Sequence, residues 1–142
     1  VLLSKSCEYA IRAAVHVGYK TLTKEKTGIS EVAEAIGAPV HFTARILQGL
    51  SRKRVISSSK GPHGGFYIEN SAKVYLIDII RAIEGDGLFN ACILGLKNCS
   101  DTKSCPVHDE IKTARTQLLL EFNKKSLRDL VSDYQQNKFV LK

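Results

Sequence analysis

Hydrophobic positions recur at helical spacing through most of this chain and turn strand-like in one stretch. From Ser4 to about Tyr19, the residues Tyr9, Ala10, Ala13, Ala14 and Val17 share one face, with Glu8, Arg12 and His16 among the others. That spacing predicts an amphipathic first helix. Lys20 to Gly28 is polar and reads as a loop. Val32, Ala33 and Ile36 then mark a short helix opened by Ile29-Ser30, with Ser30 as its expected N-cap. Gly37-Ala38-Pro39 breaks it, and Phe42, Ile46, Leu47 and Leu50 line one side of a second helix from about Val40 to Arg52. Short helix, glycine-containing turn and longer helix make a helix-turn-helix outline.

The period changes after Arg54. Val55 to Lys60 and Phe66 to Ile68 are β-leaning, and Gly61-Pro-His-Gly-Gly65 joins them as a tight turn. A two-stranded hairpin directly after the second helix is the order of a winged helix-turn-helix. A further helix is expected over Leu76 to Glu84, ended by Gly85-Asp-Gly87. Pro106 suits the first position of a longer helix running to about Lys124, because its missing N–H costs nothing there. In that helix Val107, Ile111, Ala114, Leu118 and Phe122 approach a heptad seam, and Leu119 and Leu120 widen the apolar face. Ser126 can cap a short last helix carrying Leu127, Leu130 and Val131, followed by a tail from Gln135 that reads as loose. The expected class is mainly α with a small β-hairpin. Residues 1–87 would form a winged DNA-binding domain, and 88–142 a cysteine loop and a dimerisation helix.

Charge adds a direction. The 142 residues carry 21 Lys and Arg against 14 Asp and Glu, a formal +7, which suggests an anionic partner. Between Ala35 and Ile68 there is no acidic residue, against Arg45, Arg52, Lys53, Arg54 and Lys60. An acid-free basic stretch on the expected reading helix and wing is what phosphate neutralisation requires. Hydrophobic content of 44% is ordinary for a globular chain. No apolar run approaches the roughly 20 residues of a membrane span, so the expected location is the cytoplasm. Reduced thiols there favour metal or redox chemistry over disulfides.

Three of the four cysteines, Cys92, Cys99 and Cys105, fall in one Gly-, Asn- and Ser-bearing loop, and His108 follows the last. A polar loop is not where thiols are needed for packing, so the loop is a candidate metal centre. His108, three residues after Cys105, would share its face of a helical turn. Zinc would take a Cys₃His tetrahedron, but its knuckles are usually C-x₂₋₄-C. The separations here are six and five intervening residues, which iron–sulfur clusters also accept. Spacing leaves the two metals open. Cys7, far away near the start of a helix, reads as a packed thiol.

Several motifs together resemble a known family. Ser4-Lys5-x-x-x-Tyr9-Ala10, Leu47-x-x-Leu50, Lys60-Gly-Pro-x-Gly-Gly-Phe-Tyr67, Ile79-x-x-Ala82-Ile83-Glu84-Gly85 and Cys105-Pro-x-His108 are similar to those of the bacterial winged-helix regulators that include IscR, NsrR, RirA and CymR. The resemblance covers nearly the whole chain. It implies a homodimer joined by the long helix, with Ile111, Ala114, Leu118 and Phe122 at the interface. It also implies an iron–sulfur cluster on Cys92, Cys99 and Cys105, with [2Fe–2S] expected ahead of [4Fe–4S]. His108 matches the fourth ligand of the IscR type, and Glu8 matches the carboxylate that NsrR-type proteins offer from the partner subunit. The family's DNA contacts fall here on His41, Phe42, Ala44 and Arg45, then on Lys60 and Gly61 at the wing. Arg52, Lys53 and His63 extend that set. IscR-type proteins carry Glu-Gln where this chain has Ala44-Arg45, and a guanidinium there suits a guanine edge.

The reading that follows is a dimeric repressor-type regulator of a near-palindromic operator in double-stranded DNA, switched by its cluster. The alternative is a winged-helix regulator without a cluster, controlled by cysteine oxidation or by a protein partner, or holding zinc in the same loop. Enzymatic chemistry lacks a foothold, because no nucleophile–base–orienter set or phosphate-cradling loop is legible. Gly61–Gly65 joins two strands and does not open a helix.

Overall fold

The computed structural model describes residues 2–142. In it the Ser4 hydroxyl accepts the Cys7 amide and opens helix α1, Lys5–Thr21. The Ser4 amide donates to Glu84 over 3.0 Å, which pins this end of the helix to a later one. Along α1 the residues Ala10, Ala13, Ala14, Val17 and Gly18 are buried. Their small size lets neighbouring helices come close, and a Cβ on Gly18 would stand 2.8 Å from Val131 Cγ2.

The helix-turn-helix pair follows as α2, Ile29–Ile36, and α3, Val40–Arg52. Ser30 does not cap α2. The N-cap position is Gly28 and no side chain bonds there. The reason lies just upstream, where Thr27 pairs with Phe66: each amide donates to the other's carbonyl, at 2.9 and 2.8 Å. Thr27 is therefore fixed in a strand-like conformation, and the helix starts as soon as the chain leaves it. The polar loop expected over Lys20–Gly28 thus ends as part of the wing. Gly37 closes α2 in the left-handed conformation (φ 68°), where a glycine pays no steric penalty.

The wing consists of β1, Ser57–Ser59, antiparallel to β2, Gly65–Tyr67, with Ser57 opposite Tyr67 and Ser59 opposite Gly65. Gly65 has φ +144°, and a Cβ there would lie 3.0 Å from the Thr27 amide and carbonyl. Only glycine leaves room for Thr27 to join the sheet. Val55 and Ile56 precede the strands and are buried in the main core.

After a 3₁₀ turn at Ser71–Lys73 comes α4, Leu76–Glu84, with the expected bounds. A short helix α5, Gly87–Asn90, was not legible in the sequence, and it places Phe89 against α4. Helix α6 runs His108–Lys124, starting two residues beyond Pro106. The His108 amide bonds the Cys105 carbonyl over 3.1 Å, and Cys105 is drawn inward, so Pro106 sits in a turn. Helix α7, Leu127–Gln135, opens with a capping box in which Ser126 and Asp129 each accept the other's amide.

The residues from Gln136 onward are not loose. Asn137, at φ 59°, turns the chain back, and Leu141 enters the main core at 4% exposure. That core joins α1, α2, α3 and the wing base to Leu127, Val131 and Leu141. A second cluster, Cys7, Ile77, Ile80 and Phe89, takes Leu119 and Phe122 of α6 on its flank. Burial is the main force pushing the Cys7 thiol up to about 12, which makes it an inert packed group as expected. Among the described residues no helix is long and apolar enough to cross a membrane.

Replacing Gly18 by valine should force α1 and α7 apart and lower the unfolding free energy by about 1–3 kcal/mol. Urea denaturation followed by circular dichroism measures it.

Candidate metal centre and nucleic-acid interface

Three successive turns fold the cysteine loop onto itself. Gly95 donates to the Cys92 carbonyl over 2.9 Å, Ser100 and Lys103 close the next turn, and Cys105 to His108 closes the third. The result brings the sulfurs of Cys92, Cys99 and Cys105 within 4.8 Å of one another. The Cys105 amide points at Cys99 Sγ over 3.4 Å. The Cys92 thiol is held down at about 7, first by the Leu96 amide and then by Leu94 and the other two thiols. For Cys99 the Cys105 amide pulls downward, but burial and the neighbouring thiols outweigh it and the net direction is up. Negative charge therefore collects first on Cys92.

His108 stands beside this set. Its Nδ1 lies 3.2 Å from Cys99 Sγ, while Nε2 lies 2.9 Å from Asp101 Oδ1. Lys112 Nζ reaches the same carboxylate oxygen at 2.9 Å. The hydrogen bond to His108, then Lys112, holds the Asp101 carboxyl below its ordinary range. A carboxylate behind one imidazole nitrogen fixes the ring and leaves the other free to bind. Sequence reasoning missed Asp101. Its only trace was a loop acid preceding a His and a Lys four apart.

These groups line a cleft of about 280 Å³ with Phe89, Ile93, Ile111, Arg115 and Leu119. Three thiols with an imidazole at their edge form a soft donor set that fits an iron–sulfur cluster and also zinc. Ile111, expected in the dimer seam, faces this cleft. Glu8 does not line its own chain's cleft and pairs with Lys5 at 3.5 Å.

The second candidate surface is α3 with the wing. His41, Arg45, Arg52, Lys53, Lys60, Gly61 and His63 are exposed, and Phe42 and Ala44 are half-buried. Among the described residues, none of Arg45, Arg52, Lys53, Arg54 and Lys60 forms an ion pair. Their charge is thus open to an anionic partner. Gln48, Ser51, Arg52 and Ser58 line a groove between α3 and the hairpin. Gln48 and Ser51 went unremarked in the sequence, although they follow Arg45 by three and six residues, close to its side of the helix.

A family model described as an iron-dependent transcriptional regulator, Rrf2, matches residues 3–133. A protein of Aquifex aeolicus described as an HTH-type transcriptional regulator is 26% identical over 143 residues, covering 98% of this chain and 97% of its own. CymR of B. subtilis, titled the global cysteine regulator, superposes with a TM-score of 0.75 at 18% identity, covering 92% of this chain and 95% of CymR. T. potens IscR does so with a TM-score of 0.73 at 18% identity, covering 97% and 91%. At that identity the two structures establish the winged-helix fold. The matched span, the wing and the helix pair place this chain in the Rrf2 family, among transcriptional regulators and not enzymes.

Proposed function

We propose that the chain is a homodimeric, sequence-specific DNA-binding regulator whose DNA affinity is set by an iron–sulfur cluster in the cysteine loop. The observation that carries this reading is the convergence of three sulfurs within 4.8 Å immediately before α6. Cys92, Cys99 and Cys105 would hold the cluster, with His108 through Nδ1 as the fourth ligand of the same chain. When bound, the cluster supplies a labile iron centre that responds to oxidants, nitric oxide or iron supply.

The chain's own residues make such a loop consequential. Cys92 is tethered to α5 and Cys105 to the first turn of α6, so their spacing sets how α6 leaves the loop. Helix α6 has no buried residue along its 17 positions. Leu120 is 53% exposed, Ala114 is open, and Ile111, Leu118 and Phe122 are half-buried. A second copy of α6 would cover that surface. Two α3 helices would then enter major grooves in half-sites about one turn or more apart, with the wings on flanking phosphates. A coupling of about 1–3 kcal/mol between loop and DNA gives a switch of roughly 5- to 150-fold.

A second reading, thiol control without metal, is favoured by one observation. All four cysteines are free, and Cys92 is already lowered to about 7. A thiolate at neutral pH is the reactive form.

Anaerobically reconstituted protein should contain iron and sulfide with visible absorption, and Cys92→Ser should lose both. A colourless, iron-free wild-type preparation would sink the cluster reading. Arg45→Ala should cost about 1–3 kcal/mol on the cognate site, and Lys60→Ala should reduce the salt slope of binding by about 1. Quantitative gel shifts at several salt concentrations measure both. In the metal-free protein, alkylation of Cys92 by iodoacetamide should rise through pH 7, where an ordinary thiol is still protonated, and a midpoint near 9 would remove the thiol reading.

A further inference from the structure

Arg12 carries its guanidinium to two backbone carbonyls. Nη1 lies 3.1 Å from the Leu141 oxygen and 3.5 Å from the Ile36 oxygen. Ile36 ends α2, where carbonyls lack helical partners and the helix dipole is negative. Leu141 belongs to the returning tail. The same guanidinium sits 4.5 Å from the centre of the Tyr9 ring. Tyr9 meets Phe42 of α3 edge-on, with centroids 5.6 Å apart at 79°. The Arg45 guanidinium lies 5.8 Å from the centre of the Phe42 ring. A cation, two rings and a second cation therefore touch in series from the tail, through α1, to Arg45 on the exposed side of α3.

The tail end of this ladder is itself held. Tyr134 touches both Tyr19 and Phe139, at 5.2 and 5.7 Å between centroids. Leu141 is buried in the main core, and the Lys142 side chain comes within 3.6 Å of where a Cβ on Gly37 would lie, at the turn before α3. The strap formed by residues 136–142 thus touches α1, the end of α2 and the turn into α3.

We infer that Arg12 is a positioning residue for DNA reading, coupling the docked C-terminal strap to the orientation of Phe42 and Arg45. The inference rests on the proposed role of α3 as the reading helix. Arg12 itself is half-buried and reaches carbonyls and a ring, so it acts through Arg45 and not on DNA. Undocking the strap removes the carbonyl that holds Arg12 and loosens the Arg45 side chain. Selectivity falls first, while phosphate attraction from the exposed lysines and arginines stays.

The probe is a duplex selected from a random library by the wild-type full-length protein, compared with a random duplex of equal length. Arg12→Gln should lower the selected-to-random affinity ratio by about threefold to tenfold, with random-duplex affinity and salt slope unchanged. In an Arg45→Ala background the same substitution should have no further effect, because the ladder then has no reading end. Leu141→Ala should reproduce the loss. Equal losses on both duplexes, or a loss additive with Arg45→Ala, would overturn the inference and leave Arg12 a stability staple. If Arg12→Gln fails to fold by circular dichroism, Tyr9→Leu breaks the ladder one step further along and the same cycle decides. A costly Arg45→Ala beside an inert Arg12→Gln removes this inference alone. An inert Arg45→Ala, or no selected duplex, removes the reading role of α3 as well.

Discussion

Everything in this molecule depends on how closely other elements approach α1. Its buried face includes Ala10, Ala13, Ala14 and Gly18, all fully or nearly enclosed. Such short side chains bury little area each, at roughly 25 cal/mol per Å², yet they allow α2, α3, α4 and α7 to converge on one axis. The larger side chains Ile36, Leu47, Leu50, Ile79 and Leu127, all fully buried, then fill the spaces between helices. Helix α3, the wing base and the start of the cysteine loop all take their positions from this one hub.

The hub also divides the labour between two polar surfaces. On one side, α3 and the hairpin present cations that no carboxylate neutralises. On the other, three thiols converge beside α6, with their negative charge gathered on Cys92 by backbone amides. Thiols that close together resist simultaneous ionisation, since each thiolate raises the cost of the next. A cation or cluster at their centre relieves that conflict, which is the physical reason for reading the loop as a binding site. Asp101 and Lys112 complete the arrangement by fixing His108 from behind, with Nδ1 turned to the sulfurs.

Where the sequence reading went astray, a non-local contact was responsible. Ser30 is a good N-cap by residue type, but the pairing of Thr27 with Phe66 starts α2 earlier and leaves Ser30 inside its first turn. Pro106 is a good first helical residue, but the inward pull on Cys105 holds it in a turn. Phe89 follows Gly85-Asp-Gly87, which reads as a helix terminator, and it becomes helical because its ring completes the cluster with Ile77 and Ile80. The polar tail returns because Leu141 and the Arg12 guanidinium both find partners there.

From the sequence alone come the order of the elements other than α5, the bounds of α3 and α4, the N-cap at Ser126, the acid-free basic stretch, the packed Cys7 and the candidate ligands. These rest on local physics: helical period, turn chemistry and residue softness act within a few positions of one another. Only the tertiary structure decided that the three sulfurs meet, that His108 turns Nδ1 toward them with Asp101 behind it, and that the tail reaches Arg12. Those outcomes depend on contacts between residues far apart in the chain, or on how several turns sum, and neither periodicity nor spacing carries that information.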